Sequence, residues 1–292
     1  MSGEGSGLRS QTGCEDNLYG NRLMADGHPV LATAHLEWYV TNLENLPDES
    51  ARNSRMITYL GRVVDLSPPK DLLVIGCGPR PVLIKQLREA GYRVSGVEPL
   101  PTYLAAARGY LGEADGILQG SAEALPVPDA SYDLVLCESV LEHVDSPRLA
   151  LEEMHRVLRP GRIAFVTTTN RLRFSLVGNA GEFNVRFFNW FPRLVRESYA
   201  FRHLHYDPTL ANFTLRPAVH WFTYSRLCEL GRESGFAQFY SPLDLLKKDD
   251  PVIAERWWRR ALLRPLQRNP WLRALALTQV GHGIVMLKRA PS

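Results

Sequence analysis

Short apolar runs alternate with amphipathic stretches in the central part of the chain. The runs predict strands at 72–75, 93–97, 117–119, 133–137 and 162–168. Helical spacing of apolar residues between them predicts helices near 80–90, 101–112, 122–125 and 147–158. Strands that alternate with helices form a parallel sheet covered on both faces. Further strands at 236–241 and 283–288 bring the predicted number to seven. We therefore predict an α/β fold with a doubly wound, mostly parallel seven-stranded sheet.

The same pattern divides the chain into five parts. Residues 1–20 are rich in glycine and polar residues and are predicted to be a disordered tail. Residues 21–70 are predicted to be an N-terminal helical lid, whose second helix runs from 49 to 64 and is stopped by Pro68 and Pro69. Residues 71–170 form the α/β core, and 171–223 form an aromatic-rich cap insertion. Residues 224–292 complete the core, with a helix at 224–235 and a basic helical insert at 250–275.

Composition narrows the class of protein only a little. Hydrophobic residues make up 45% and charged residues 22% of the 292 residues, as in ordinary soluble proteins. The net charge of +3 does not by itself indicate a polyanionic partner. The four cysteines show no metal-ligand or disulfide spacing. No apolar run approaches the roughly 20 residues that span a bilayer, and the N-terminus lacks the apolar core of a secretory signal. We expect a cytoplasmic protein.

Polar and glycine residues follow the first four predicted strands, where ligands of such sheets bind. The first strand ends in LVIGCGPRP, in which Gly76 and Gly78 permit positive φ and close approach of a ligand. Glu98 follows the second strand, twenty residues after Gly78, where a carboxylate can accept both hydroxyls of a ribose. Pro81 stands where a dinucleotide-binding turn needs its third glycine. The pattern favours an adenosine-type ligand, either a dinucleotide or S-adenosylmethionine.

Four segments in order carry a resemblance to a known family. They are LVIGCGP, VSGVEP, GSAEALPVPDASYDLVLCESVLEHV and EEMHRVLRPGR, spread over residues 71–170. Together they resemble the class I S-adenosylmethionine-dependent methyltransferases, especially the group acting on small molecules that includes ubiquinone and menaquinone biosynthesis enzymes. The resemblance implies the Rossmann-like methyltransferase fold and S-adenosylmethionine as the cofactor.

The resemblance also implies roles for individual residues. The turn after the first strand would contact the methionine part and ribose, and Glu98 would hold the ribose hydroxyls. The residues implied as cofactor-binding are Gly76, Cys77, Gly78, Glu98, Ser121, Ala122, Cys137, Glu138 and Ser139. Three positions depart from the family pattern: Val74 and Ser121 stand where acids are common, and Arg80 replaces a glycine.

Candidates for chemistry at the acceptor lie mostly in the cap. A hydroxyl acceptor needs a general base, and the candidate catalytic residues are His143, His203, His205 and His220. Candidate substrate-binding aromatics are Tyr39, Trp190, Tyr206 and Trp221. The aromatic residues of the cap are most typical of the core of a small subdomain, and the two roles are compatible. Because nothing fixes a third ligand beside the His203 and His205 pair, we expect no metal site.

The basic insert combines tryptophans with arginines. Arg256, Arg259 and Arg260 surround Trp257 and Trp258 in the sequence RWWRR. This mix suits a peripheral membrane contact, and nucleic acid is the weaker alternative. A third interpretation is an amphipathic helix whose tryptophans face the core while its arginines are solvated.

The sequence thus predicts an S-adenosylmethionine-dependent methyltransferase that O-methylates a small-molecule or lipid-like acceptor. Because the sulfonium already activates the methyl group, the protein chiefly has to align the donor and the nucleophile. The departures at Val74, Arg80 and Ser121 keep open a catalytically silent cofactor-binding or scaffold subunit. A nicotinamide-dependent dehydrogenase is the third hypothesis.

Overall fold

A computed structural model describes residues 50–112, 116–173, 188–202, 218, 220–278 and 282–290. The predicted tail at 1–20 and the first part of the predicted lid lie outside these residues. The second lid helix is present as α1, Ser50–Leu60.

A single sheet of seven strands organises the described residues. The strands are β1 (Asp71–Ile75), β2 (Arg93–Glu98), β3 (Ile117–Gln119), β4 (Tyr132–Glu138), β5 (Leu158–Thr168), β6 (Phe236–Tyr240) and β7 (His282–Lys288). Their spatial order is β3-β2-β1-β4-β5-β7-β6. The first five strands pair in parallel, and β7 lies antiparallel between β5 and β6. This topology confirms the predicted α/β fold with a mostly parallel sheet.

Helices connect the strands and cover both faces of the sheet. After α1 they are α2 (Val82–Glu89), α3 (Pro101–Leu111), α4 (Pro147–Val157), α5 (Arg193–Arg202), α6 (Tyr224–Glu233), α7 (Pro242–Leu245), α8 (Pro251–Ala254), α9 (Trp257–Arg268) and α10 (Pro270–Leu277). A short 3-10 helix, Phe188–Trp190, precedes α5. Local signals set several starts: Ser146 accepts the N–H of Leu149 at the start of α4, and Thr223 accepts the N–H of Arg226 at the start of α6.

Two apolar clusters, one on each face of the sheet, hold the fold together. One includes Leu73 and Val135 with α4 and α6, and the other includes Leu72 and Leu134 with α1 and α2. Neighbouring residues of β1 and β4 thus point to opposite faces and are fully buried on both. This double burial explains why the parallel strands appear in the sequence as continuous apolar runs.

The buried carboxylate of Asp133 ties three strands together at the amino edge of the sheet. One oxygen accepts the backbone N–H of Asp71 at 3.0 Å and a guanidinium N–H of Arg159 at 2.8 Å. Its other oxygen pairs with Arg162 at 3.1 Å. Asp133 therefore positions β4 against β1 and β5, at the edge opposite the candidate ligand site.

Three local predictions were wrong or incomplete. Residues 122–125 do not form a helix but a tight turn, closed by an isolated antiparallel bridge between Ser121 and Ala124. The pairing of Ser121 with Ala124 closes the chain into this turn in place of a helical turn. Within the cap, α5 was not predicted, although Pro192 directly before it is a typical start signal. The basic insert consists of three helices, because Arg256 and Asn269 adopt extended backbone.

Candidate functional site

The turn after β1 contains two glycines with left-handed backbone, Gly76 at φ +65° and Gly78 at φ +67°. A Cβ on Gly76 would lie 2.4 Å from Cγ2 of Val140, so the chain itself fills the space above this residue. A Cβ on Gly78 would meet no atom within 4 Å. Gly76 therefore serves packing against the turn after β4, whereas Gly78 leaves open space into which a ligand can approach the backbone.

The carboxylate of Glu98 lies beneath this turn, at the end of β2. It is 3% exposed, and its two oxygens accept the backbone N–H groups of Gly78 at 3.0 Å and Leu100 at 3.2 Å. Burial raises the pKa of this carboxyl, and the two backbone N–H groups partly offset that rise. A carboxylate offers about four acceptor positions, so Glu98 retains capacity for two hydroxyl donors.

The thiol of Cys77 points away from the open space. Its sulfur lies 3.2 Å from the position that a Cβ on Gly96 would take, and the side chain packs against the apolar cluster containing Leu72. Burial, followed by the nearby charge of Glu98, raises the pKa of the Cys77 thiol to about 12. At neutral pH the thiol stays protonated and is a poor nucleophile.

The ends of β3 and β4 bring the remaining predicted cofactor residues to the same edge. Ser121 is half-buried and Ala122 is buried in the bridged turn after β3. Cys137 is wholly buried in the apolar core, so its side chain cannot reach a ligand and only its backbone is available. Ser139 is exposed and adopts φ +53°. Left-handed backbone at a non-glycine residue is costly and is concentrated at functional sites.

Glu138, by contrast, is engaged by the lid helix. The guanidinium of Arg52 in α1 donates a hydrogen bond to its carboxylate, and Glu138 is the more buried partner. Asn53 on the same helix donates to Gln86 of α2 at 2.9 Å. These contacts hold α1 across the carboxyl edge of the sheet, next to the glycine turn.

An apolar cavity of about 220 Å³ lies between α1 and the face of the sheet formed by β5, β7 and β6. Met56 and Tyr59 line it from α1, and Phe165, Tyr240 and Val285 line it from the strands. Arg52, which binds Glu138, forms part of its wall. The cavity thus adjoins the edge that carries the predicted cofactor residues.

The turn after β4 brings two of the predicted catalytic histidines close together. His143 is half-buried, and its backbone N–H donates to the Val140 carbonyl at 2.9 Å. The backbone N–H of His220 donates to the carbonyl of Glu142 at 3.2 Å, and its ring Nε2 lies 3.0 Å from the carbonyl of Val144. A carbonyl accepts only, so Nε2 of His220 carries a proton in this contact. His220 thereby fastens the end of the cap to the turn after β4.

Glu142, directly before His143 in the chain, has a buried carboxyl and is 2% exposed. Burial raises its pKa to about 7, and the hydroxyl of Thr168, which donates to Oε2 at 2.7 Å, acts in the opposite direction. Nothing in the sequence pattern indicates a role for Glu142 beyond its place after β4.

Two of the predicted substrate-binding aromatics of the cap are described, and one is exposed while the other is buried. Trp190 is 59% exposed, and its Nε1 donates to the carbonyl of Arg173 at 3.3 Å. Trp221 is buried against Phe188, and the guanidinium of Arg196 lies 4.2 Å from its ring centroid. Arg196 itself is 4% exposed. A buried cation on an indole face is a strong contact, and it joins α5 to the segment that carries His220.

The other predicted acceptor-site residues, Tyr39, His203, His205 and Tyr206, lie outside the described residues. Within the described ranges, no group of three or more histidine, cysteine, aspartate or glutamate side chains is arranged to hold a metal ion.

Sequence reasoning missed two residues of this region, Arg52 and Arg196. Arg52 binds a carboxylate far along the chain, and nothing in the spacing of the sequence indicates that pair. Arg196 lies in the second turn after Pro192, so a prediction of α5 would have directed attention to it.

Comparison with known proteins shows which family the central part of this chain resembles. Residues 73–166 match the family described as a methyltransferase domain. A protein of Mycolicibacterium smegmatis, named "Probable S-adenosylmethionine-dependent methyltransferase", is 35% identical over 106 residues, which are 36% of this chain and 40% of the relative. A ubiquinone biosynthesis O-methyltransferase of Xylella fastidiosa is 30% identical over 143 residues, 47% of this chain and 57% of the relative.

A solved methyltransferase structure from Galdieria sulphuraria has the same fold, with a TM-score of 0.50 and 15% identity over 82% of this chain and 86% of that one. The matched sequence regions cover between 40% and 57% of the length of the two curated relatives. The family match at residues 73–166 runs from β1 into β5 and includes the glycine turn and Glu98, so the family resemblance drawn from the motifs is confirmed. Residues 73–166 form a methyltransferase domain of the class I, S-adenosylmethionine-dependent type.

Proposed function

We propose that this protein transfers a methyl group from S-adenosylmethionine to a hydroxyl of a small-molecule or lipid-like acceptor. The observation that carries the proposal is the pairing of an open, left-handed Gly78 with the buried Glu98 carboxylate below it. A ribose placed on Glu98 would donate its hydroxyls to the carboxylate, and the open side of Gly78 admits the ligand next to the backbone. The fit favours the adenosine-type ligand predicted from the sequence.

The chain's own residues supply binding and alignment. The start of α2 has no side-chain cap, so the positive end of its dipole favours the cofactor's carboxylate there. The backbone N–H of Val82, the first of the helix, donates to the carbonyl of Arg80 at 2.8 Å and is not part of this contact. Ser121 and Ala122 would lie against the adenine, and Ser139 with the backbone of Cys137 would line the other side. Glu138 is held by Arg52 and would contribute through the position of α1.

S-adenosylmethionine, when bound, supplies an already activated methyl group. The protein then has to hold the acceptor oxygen in line with that group and exclude water. A hydroxyl acceptor also has to lose its proton during attack. His143 is the described residue we propose as general base, because it lies at the carboxyl edge, four residues beyond Ser139. We assign His220 a positioning role, because its Nε2 is committed to the carbonyl of Val144. His203 and His205 remain candidates.

Two observations support an apolar acceptor. The Xylella fastidiosa relative is named for ubiquinone biosynthesis and O-methylation. The cavity between α1 and the sheet is lined mainly by apolar and aromatic side chains, and its wall includes Arg52, which binds Glu138. We propose that this cavity receives the apolar part of the acceptor, and that residues 171–223, with Trp190, Trp221 and Tyr206, close over the reacting end together with Tyr39 of the lid.

Two measurements, made one after the other, test the proposed function. Calorimetry with S-adenosylmethionine and with its demethylated product tests the pocket, and transfer of labelled methyl to a panel of phenolic and lipid-like hydroxyl acceptors tests the reaction. Binding and transfer would support the proposal. Tight binding without transfer to any acceptor class would favour the silent subunit. Failure to bind either nucleoside, together with saturable NADH fluorescence, would favour the dehydrogenase.

A further inference from the structure

We infer that the surface of α9 and α10, residues 256–278, docks the protein on an anionic lipid bilayer. We call the pair of helices α9 and α10, residues 256–278, the basic hairpin. Its residues are remote from the glycine turn in the sequence, and the inference stands independently of the proposed reaction. Within the described residues no helix is long and apolar enough to cross a bilayer, so the contact concerns the membrane surface.

Large apolar side chains of the basic hairpin point to solvent. Trp257 is 81% exposed, Trp271 is 83% exposed and Leu275 is 63% exposed. The interpretation in which the tryptophans face the core is therefore wrong. Tryptophan has an apolar body with one polar N–H and is enriched where membrane meets water. An exposed cluster of this kind marks an interaction surface.

The arginines of α9 are arranged beside the apolar side chains. Arg260, Arg264 and Arg268 are spaced four residues apart and therefore form one row along the helix. Trp258 and Leu262 form a second exposed row with the same spacing. Trp257 and Ala261 lie between the two rows. One face of the helix thus combines a cationic row with an apolar row, the arrangement of helices that lie in a membrane interface.

The opposite face fixes the basic hairpin to the domain. Leu263 and Leu277 are buried. The side chain of Gln267 donates to the carbonyls of Leu243 at 2.8 Å and Leu246 at 3.0 Å. Arg273 binds the carboxylate of Asp244, with Nη1 2.6 Å from Oδ1. These contacts hold α9 and α10 against α7, so the exposed face is presented on a preformed platform.

Not every arginine of the insert is available for lipid. Arg259 donates to the carbonyl of Val252 at 2.7 Å and lies over the ring of Trp258, and Arg273 is bound to Asp244. Among the described residues, no ion pair is made by Arg256, Arg260, Arg264 or Arg268. These four guanidinium groups are the ones that can meet lipid headgroups.

The charge of the exposed face indicates which kind of partner binds to it. Six arginines and no acidic residue lie between positions 256 and 278. A second copy docking through the same face would bring arginines against arginines, which opposes association. The phosphates of a nucleic acid would pair with the arginines, but a nucleic acid would leave the leucine side chains exposed to water. A bilayer containing anionic lipid satisfies both, because its phosphates take the guanidinium groups and its interface takes the tryptophans.

Cosedimentation of the full chain with vesicles tests the inference. Vesicles of phosphatidylcholine with about a third phosphatidylserine should bind the protein, and pure phosphatidylcholine should bind it far less. The triple variant Arg260→Gln, Arg264→Gln, Arg268→Gln should weaken binding to anionic vesicles roughly a hundredfold, from about fivefold per arginine near such a surface. Gln has a helix propensity close to that of Arg, so α9 should be retained. Circular dichroism checks this.

A matched control variant removes three positive charges from other parts of the protein surface. Lys85, Arg148 and Arg232 are exposed on α2, α4 and α6, and their joint replacement by Gln should change vesicle binding little. The pair Trp257→Ser and Trp271→Ser should weaken vesicle binding while keeping every charge. Equal loss in the control and the triple variant, no effect of the tryptophan pair, absence of parent binding, or stronger binding to single-stranded oligonucleotide than to vesicles would each overturn the inference.

Discussion

The carboxylate of Glu98 and the backbone N–H of Gly78 form a 3.0 Å hydrogen bond that joins the ends of the two neighbouring strands β1 and β2. A buried carboxylate supports the turn from below, while the turn leaves an open side above. The same bond that shapes the glycine turn thus also orients the group proposed to bind the ribose. Replacing Glu98 is therefore expected to affect both ligand affinity and the local fold, and the two effects have to be measured separately.

Glu98→Gln is predicted to lower affinity for S-adenosylmethionine about 10- to 100-fold, because hydrogen bonds to a charged group are each worth about 1.5–3 kcal/mol. Calorimetry measures the affinity, and thermal unfolding measures any loss of stability. Burial raises the pKa of Glu98, so affinity of the parent protein should fall as pH is lowered through that raised pKa, and the variant should lack this dependence.

Glu89→Gln is the matched control, since Glu89 is exposed at the end of α2. Its affinity should equal that of the parent protein. If Glu98→Gln binds S-adenosylmethionine as tightly as the control does, the carboxylate does not hold the ribose, and the proposed site is wrong.

The two glycines of the turn are predicted to respond differently to alanine. Gly76→Ala should lower the free energy of unfolding by about 2–4 kcal/mol, since it combines left-handed strain with a clash against Val140. Gly78→Ala should cost only about 1–2 kcal/mol, the strain alone, but should lower affinity for S-adenosylmethionine because its Cβ enters the open space. Urea unfolding and calorimetry measure the two quantities.

A double variant separates strain from clash at Gly76. Adding Val140→Ala to Gly76→Ala should recover the part of the loss that comes from contact with Cγ2. Strict additivity of the two substitutions would show that the side chain of Val140 does not limit this position.

The strands of the sheet were predictable because burial on both faces requires apolar residues at consecutive positions of the sequence. Leu72 to Ile75 and Leu134 to Cys137 are buried on both faces, so the chain has to be apolar at consecutive positions, and predicted and observed bounds agree within one residue. The glycine turn and Glu98 follow for the same reason, since ligands of such sheets lie at strand ends. Here local pattern and tertiary structure carry the same information.

The walls of the proposed acceptor site were predictable only in their residue composition. The contact of Arg52 with Glu138 and that of Arg196 with Trp221 join segments whose approach depends on how α1 and α5 pack, which periodicity does not encode. The orientation of Trp257 likewise depends on which face of α9 meets α7. A helical pattern gives the faces of a helix but does not identify the neighbour of each face.

Filling the cavity behind α1 tests whether it receives the acceptor. Met56→Trp should place a larger side chain in the space of about 220 Å³ and raise KM for an apolar acceptor roughly tenfold or more, while the affinity for S-adenosylmethionine stays unchanged. Thr58→Trp, on the exposed side of the same helix, is the control and should leave KM unchanged. Equal KM values in the two variants would place the acceptor elsewhere.

Glu142 is predicted to make stability depend on pH. Burial raises its pKa to about 7 from an ordinary value near 4.5, so the folded state binds a proton more tightly than the unfolded chain does. Stability should therefore fall as pH rises from about 4.5 to above 7, by up to about 3 kcal/mol. Glu142→Gln keeps an oxygen for the Thr168 hydroxyl and carries no charge, so it should remove this dependence and be more stable than the parent protein at pH 8.

Urea unfolding at pH 5, 6, 7 and 8 measures the difference, with Glu229→Gln on the exposed side of α6 as control. A parent protein whose stability changes with pH just as that of Glu142→Gln does would mean that Glu142 is ionised in the fold throughout this range.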